Sequence, residues 1–400
     1  MDFGAFPIAH QYMSAVTDQK ECYSFQLALC EDCNHVFIPH PISPSILYQN
    51  YVTLSDWKFQ PHIPRLIELI QQYGVNKQAT ILEVGCNDGR FLKSLQEVGF
   101  TNLHGIEPAS DACEMAKKKG IQVIQGFFNQ DTADQFVQEK GKCDLFIIRQ
   151  VLEHIHDLAE FSEAIKNVIN ADAVVLIEVP DFFPMLHTYD YTFWEEHVNY
   201  FTRKTLNDFI SQIGIEEIHF ERFLFSGVGQ LLIGKCKSNH SSQKESPTSD
   251  YHLHENVVNY AHQWIDFKRS WQTFLSDLKR KGEKIAVYGA GCRTASLINF
   301  LDIAEYIDFV VDDQEEKQSL FMPGSRLEIC ASDRLHIDSI SICLLGVNTE
   351  NENKVIEKHN NSANKIIFYS ILPPSERLPS FWQNWIGVGQ SLDVSNLLCD

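Results

Sequence analysis

The segment ATILEVGCNDGRFLKSLQEVG, Ala79 to Gly99, decides the fold. Its first half, Thr80 to Val84, has the composition of a buried strand. The chain then turns through Gly85, Asn87 and Gly89 and enters a helical repeat of Phe91, Leu92, Leu95 and Val98. Glycines at the end of a strand let backbone approach a ligand, and open α/β sheets bind ligands at the carboxyl ends of their strands. A second strand, in HGIEPA, ends on Glu107, where an acidic side chain accepts hydrogen bonds from ribose hydroxyls.

Outward from this turn, strand-like runs alternate with helical periodicity. PHIPRLIELIQQYG reads as a helix that starts at Pro61 and stops at Gly74. ATILEVG, NLHGIEP, IQVIQGF, CDLFIIRQ and AVVLIEVP are short β-type runs, and their alternation with helices predicts an α/β fold with a mostly parallel sheet. The polar, Ser-rich stretch 238–250 reads as a linker. Beyond it, a long helical stretch leads to KIAVYGAG, IDFVVDD, SICLLGV and KIIFYS, the strands of a second, smaller Rossmann-like α/β unit. The expected division is a small module over 1–56, a central α/β domain over 57–240 and a carboxyl-terminal Rossmann-like domain over 251–400.

Composition narrows the class. At 400 residues, with 44% hydrophobic, 22% charged and 12% aromatic residues, the chain is a folded protein of two or three domains and not a disordered one. No stretch approaches a membrane span, and MDFGAFPIAHQYM lacks the basic and apolar regions of a secretory signal. Eleven scattered cysteines, an odd number, suit a reducing compartment. A cytoplasmic location is therefore expected. A formal charge of −20 with no Lys/Arg-rich stripe argues against nucleic acid as a partner and for a small-molecule substrate.

The Gly85-to-Gly89 spacing is Gly-x-x-x-Gly with Asn87 between, not the Gly-x-Gly-x-x-Gly of a dinucleotide turn, so a methyl-donor site is expected in place of a nicotinamide site. Further segments carry a specific resemblance. In order they are Cys30 and Cys33, LYQNYVTLS, Glu83 with Asn87-Asp88-Gly89, VLEH (Val151–His154), EHVNYF (Glu196–Phe201), VYGAG and VVDDQEEKQSLFMPGS. Together these resemble the class I S-adenosylmethionine-dependent methyltransferases, and among them the three-domain deoxysugar C-methyltransferases.

The resemblance implies that Glu83, Gly85, Asn87 and Gly89 line the methionine and ribose part of S-adenosylmethionine and that Glu107 holds the ribose hydroxyls. It also implies that Phe128 lies against adenine, unless it is simply core, and that Gln150 faces the cofactor. It implies a nucleotide-linked keto-sugar as acceptor, with His197 as the base that removes a proton next to the carbonyl. Glu196 would orient that base or bind the sugar, and the carboxyl-terminal domain would close the substrate cleft. Histidine suits such a base because its ordinary pKa lies near neutrality. The family pattern Tyr-His-Glu-His reads Trp194-Glu195-Glu196-His197 here, and the family's later paired glycines recur only loosely in SGVGQLLIG. Methylation of oxygen or nitrogen on another small metabolite therefore stays open as an alternative.

Two further expectations concern metal and nicotinamide. The family's amino-terminal module holds zinc through two Cys-x-x-Cys pairs, but this chain has one, Cys30 and Cys33. Cys22, His10, His35 or His40 could complete a degenerate site, and loss of the zinc is the favoured expectation. KIAVYGAGCRTASL imitates a dinucleotide turn, with Gly289, Gly291 and Asp312, but Thr294 stands at the third glycine position. An NAD-dependent oxidoreductase is the rival function this leaves.

Overall fold

The computed structural model describes residues 1–47, 60–236, 252–359 and 365–386. The LYQNYVTLS segment beyond Leu47 and the Ser-rich 238–250 stretch lie outside the described residues. The rest forms two compact units. One comprises the described parts of Ser43–Asp181 and Val198–Tyr251, and the other Met1–Ile42, Phe182–His197 and the described part of His252–Leu397.

The first unit is built on a seven-stranded sheet. In chain order its strands are Thr80–Val84, Asn102–Glu107, Gln122–Gln125, Cys143–Arg149, Ile169–Pro180, Ile215–Leu224 and Val228–Cys236. Across the sheet they run third, second, first, fourth, fifth, seventh, sixth. The first five are parallel, and the last two form an antiparallel hairpin whose Val228–Cys236 strand pairs with Ile169–Pro180. All five strands expected from the sequence are present.

Burial on both faces explains their continuous apolar runs. On one face Leu82, Val84, Phe146, Ile148, Val175 and Ile177 pack with Phe136 and Phe161; on the other Ile81, Leu145, Ile147 and Leu176 pack with Leu66, Leu69, Leu92 and Leu95. The helix Ile63–Gln72 carries a proline in its first turn and buries Leu66, Leu69 and Ile70 almost fully. Each such side chain contributes about 1.5–3 kcal/mol of burial. Strand order reverses direction between Thr80–Val84 and Cys143–Arg149, so their carboxyl ends flank the topological switch point where such sheets bind ligands.

The second unit holds a five-stranded, wholly parallel sheet. Its strands in chain order are Ile285–Tyr288, Phe309–Val311, Ile329–Cys330, Ile342–Leu345 and Ile367–Ser370, and they lie third, second, first, fourth, fifth. This is the Rossmann strand order without its sixth strand. The helix Leu253–Arg280 buries Val257, Tyr260, Trp264, Phe267, Trp271 and Leu275, spaced by three or four residues into one stripe. That stripe gathers distant chain: Phe3 packs on Trp264 at 4.8 Å, and Tyr191 stacks on Tyr260 at 4.3 Å while its hydroxyl donates to the Tyr260 carbonyl at 2.8 Å. Phe3 belongs to a hairpin of Asp2–Phe6 with Tyr23–Gln26. No helix of the described residues is long and apolar enough to cross a membrane.

Candidate active site

Two kinds of constraint shape the Gly85–Gly89 turn. Gly85 adopts φ +67°, its amide donates to the Ile106 carbonyl at 2.8 Å, and a Cβ there would lie 2.3 Å from Val151 Cγ2. Gly89 caps the helix Arg90–Glu97 at φ +72°, where a Cβ would stand 2.9 Å from Ala116 Cβ. Both glycines therefore answer to positive φ and to close packing by the protein itself. Asn87 also adopts positive φ, at +48°; its amide donates to Glu107 Oε2 at 3.0 Å and its side-chain oxygen accepts the Asp88 amide at 2.6 Å. Asp88 is committed elsewhere, to Lys119 at 2.6 Å and Arg90 at 3.1 Å.

Glu107, at the end of the neighbouring strand, is buried and braces this turn. Its Oε1 accepts the Ala109 amide at 2.9 Å while Oε2 takes that of Asn87. Each carboxylate oxygen can accept more than one hydrogen bond, so both retain capacity for hydroxyl donors. Burial raises its pKa, and the two amides oppose the rise.

Behind the turn lies a buried charged network that the sequence reading did not anticipate. Arg149 Nε donates to Glu178 Oε2 at 3.1 Å, its Nη1 lies 3.9 Å from Glu83 Oε1, and its guanidinium covers the Phe91 ring at 4.4 Å. His62 Nε2 lies 3.0 Å from Glu178 Oε2, and the Gln150 side-chain amide donates to Glu178 Oε1 at 3.1 Å. Burial alone would raise the Glu178 pKa, but Arg149 and His62 more than offset it and hold it at about 2. Glu83 behaves oppositely. Burial pushes it up to about 8 against the pull of Arg149, and its Oε2 is buried without a hydrogen-bond partner. An orphaned, fully buried carboxyl oxygen is costly and has an evident use where a cationic ligand binds. The signal in the sequence was a charged residue near the carboxyl end of each of two largely apolar runs, Arg149 in CDLFIIRQ and Glu178 in VVLIEVP.

Of the residues expected to hold the cofactor, Glu83, Gly85, Asn87, Gly89, Glu107 and Gln150 thus gather at the carboxyl ends of adjacent strands. Phe128 stands apart. It packs into the core against Phe161 at 5.1 Å and Phe146 at 5.5 Å, whereas its neighbour Phe127 is 56% exposed. Phe128 thus takes the core position that the sequence reading kept as its alternative, and Phe127 is the aromatic ring presented to solvent after the third strand.

Glu196 and His197 belong to the other unit. Both are buried, the His197 ring lies 3.7 Å from that of Trp194, and Glu196 Oε1 is 3.2 Å from His10 Nδ1. In the same unit Asp312 accepts the Ala290 amide at 2.8 Å and that of Gln314 at 2.9 Å, and the Tyr12 hydroxyl donates to the Ala290 carbonyl. Cys30 is half-buried and Cys33 exposed; neighbouring amides of Cys33 and Asp32 pull the Cys30 thiol below its ordinary pKa. Among the described residues this pair joins no group of three metal-ligating side chains.

A glycine turn at the switch point and a sheet of this strand order make the class I methyltransferase Rossmann-like architecture. Residues 58–219 match the family model of a methyltransferase domain, and the protein is an S-adenosylmethionine-dependent methyltransferase. Residues 241–369 match the model of a C-methyltransferase C-terminal domain, which accounts for the second α/β unit. No curated protein matches the chain.

Among solved structures, an S-adenosylmethionine-dependent methyltransferase from Archaeoglobus fulgidus is 15% identical over 44% of this chain and 96% of its own, with a TM-score of 0.36. Magnesium protoporphyrin IX methyltransferase from Synechocystis PCC 6803, with S-adenosylmethionine bound, is 12% identical over 44% of this chain and 78% of its own, with a TM-score of 0.33.

Proposed function

We propose that the enzyme transfers the methyl group to a carbon of a nucleotide-linked keto-sugar. The observation that carries this reading is the pairing, in one chain, of a methyltransferase domain over 58–219 with a C-methyltransferase C-terminal domain over 241–369. S-adenosylmethionine, when bound, supplies an electrophilic methyl group on a sulfonium centre. Glu107 would hold the ribose hydroxyls with the accepting capacity its two amide partners leave. Glu83, with its orphaned Oε2, would meet the positively charged methionine portion as a carboxylate.

Methylating carbon requires a nucleophile, and the chain's own contribution is to make one by removing a proton next to the substrate carbonyl. His197 is the base in this reading, and a positioned base is worth roughly 100- to 10,000-fold. Glu196 orients it or binds the sugar. The replacement of the family's first tyrosine and histidine by Trp194 and Glu195 adapts the site to a different sugar.

The test is solvent exchange. With the keto-sugar nucleotide and no methyl donor, the enzyme should incorporate deuterium from heavy water at the carbon next to the carbonyl, and His197→Ala should abolish the incorporation. Undiminished exchange in that variant sinks the base assignment. Methylation of a sugar oxygen without any exchange would replace the reading with O-methylation.

A further inference from the structure

Glu196 also takes part in a cluster that neither of the matched domains accounts for. His10 lies in the connection between the two strands of the amino-terminal hairpin, Glu196 is the penultimate residue of the Phe182–His197 segment, and Cys292 opens the helix Cys292–Leu301 directly after Gly291. One ligand atom from each, an imidazole nitrogen, a carboxylate oxygen and a thiol sulfur, lie within 4.8 Å of one another. The arrangement is anchored: His10 Nδ1 is 3.2 Å from Glu196 Oε1 and 4.0 Å from Glu195 Oε1, and Glu195 Oε1 also accepts the Ala9 amide at 2.7 Å. Backbone on one side of His10 is thereby tied to the pair of acids it faces.

The donor set is acidic: the buried carboxyl groups of Glu195 and Glu196 face the His10 imidazole, and the Cys292 thiol lies beside Glu196 and His10. A divalent cation is a fitting counter-charge for such a set.

We propose that His10, Glu196 and Cys292 bind a divalent zinc-type ion, distinct from any site at Cys30 and Cys33. Thiolate, imidazole and carboxylate together select zinc or cobalt over the hard cations magnesium and calcium. Bonds of about 2.0–2.3 Å in a tetrahedron separate ligand atoms by roughly 3.3–3.8 Å, so the three close by at most about 1.5 Å to meet the ion. Three protein ligands leave the fourth position for water or substrate, the pattern of zinc sites that take part in chemistry. Binding releases the thiol proton to solvent as the sulfur–metal bond forms. The inference goes beyond carbon methylation and does not depend on it.

The experiment uses the full-length protein stripped with a chelator and titrated with cobalt, which reports thiolate ligation through a sulfur-to-metal charge-transfer band. The expected result is stoichiometric binding with that band. Cys292→Ser should remove the band, and His10→Ala should weaken the metal by on the order of 100-fold or more. The double variant Cys30→Ser/Cys33→Ser should retain both band and affinity. S-adenosylmethionine binding, measured on every variant, confirms that each is folded, and His10→Ala serves if Cys292→Ser does not fold. Absence of cobalt binding in the parent protein overturns the proposal. So does equal binding by all variants, or loss of the band only in the Cys30/Cys33 variant.

Discussion

Replacing Gly85 by alanine puts a methyl group where the structure leaves no room. The new Cβ falls 2.3 Å from Val151 Cγ2, and the backbone sits at φ +67°, which an L side chain tolerates poorly. The left-handed conformation costs about 1–2 kcal/mol, and overpacking of this kind costs about 1–3 kcal/mol. Together they amount to about 2–5 kcal/mol, a large share of the ~5–15 kcal/mol that holds a domain folded.

The two parts can be separated, because Val151→Ala removes the colliding methyl but leaves the dihedral strain. Urea unfolding of the parent, both single variants and the double variant forms a complete cycle. The double variant should be less destabilised than the sum of the singles by about 1–3 kcal/mol. If the single effects add to within ~0.5 kcal/mol, the collision is not what forbids a side chain at this turn.

Other outcomes follow from the same site. Arg149→Met leaves Glu178 buried beside Glu83 without the guanidinium and with His62 as its remaining basic partner, and should lower unfolding free energy by about 3–5 kcal/mol in a denaturant titration. Glu83 has a folded pKa of about 8 against an ordinary 4.5, so between those values the folded state holds a proton that the unfolded chain has lost. Its contribution therefore makes stability fall as pH rises through that window; Glu83→Gln should flatten the decline in melting temperature, and an unchanged slope would contradict the assignment. Because Glu83 would meet the cofactor as a carboxylate, calorimetry in buffers of different ionisation enthalpy should show proton release on S-adenosylmethionine binding near neutral pH, and none in Glu83→Gln. Glu107→Ala should weaken S-adenosylmethionine about 10- to 100-fold through lost charge-assisted hydrogen bonds, read as a dissociation constant.

How much of this was legible beforehand depended on whether the signal was local. The five parallel strands announced themselves as uninterrupted apolar runs because both faces of the sheet are covered. The turn announced itself because Gly85 and Gly89 occupy positions that packing and positive φ both restrict. The antiparallel hairpin Ile215–Cys236 was not foreseen: its first strand is only half-buried, and its glycines, read as a family motif, sit where neighbouring side chains crowd, as at Gly229 beside Phe223.

Phe128 illustrates a different limit. Sequence marks an aromatic pair after the third strand but not which ring points inward, and a one-residue difference exchanges core for solvent. The Arg149–Glu178–His62 network joins positions up to 116 residues apart, a pairing that only the folded sheet reveals. The same holds for His10 and Glu196, whose proximity depends on the amino-terminal hairpin folding with the second Rossmann-like unit.

The reading of the Ile81–Arg90 turn, braced by Glu107, as a methyl-donor site predicts binding of S-adenosylmethionine over NAD. Isothermal titration of the purified protein with S-adenosylmethionine and, separately, with NAD tests it most directly. The expected result is stoichiometric S-adenosylmethionine binding that Glu107→Ala weakens, and no comparable binding of NAD. Tight NAD binding with no S-adenosylmethionine binding would contradict it.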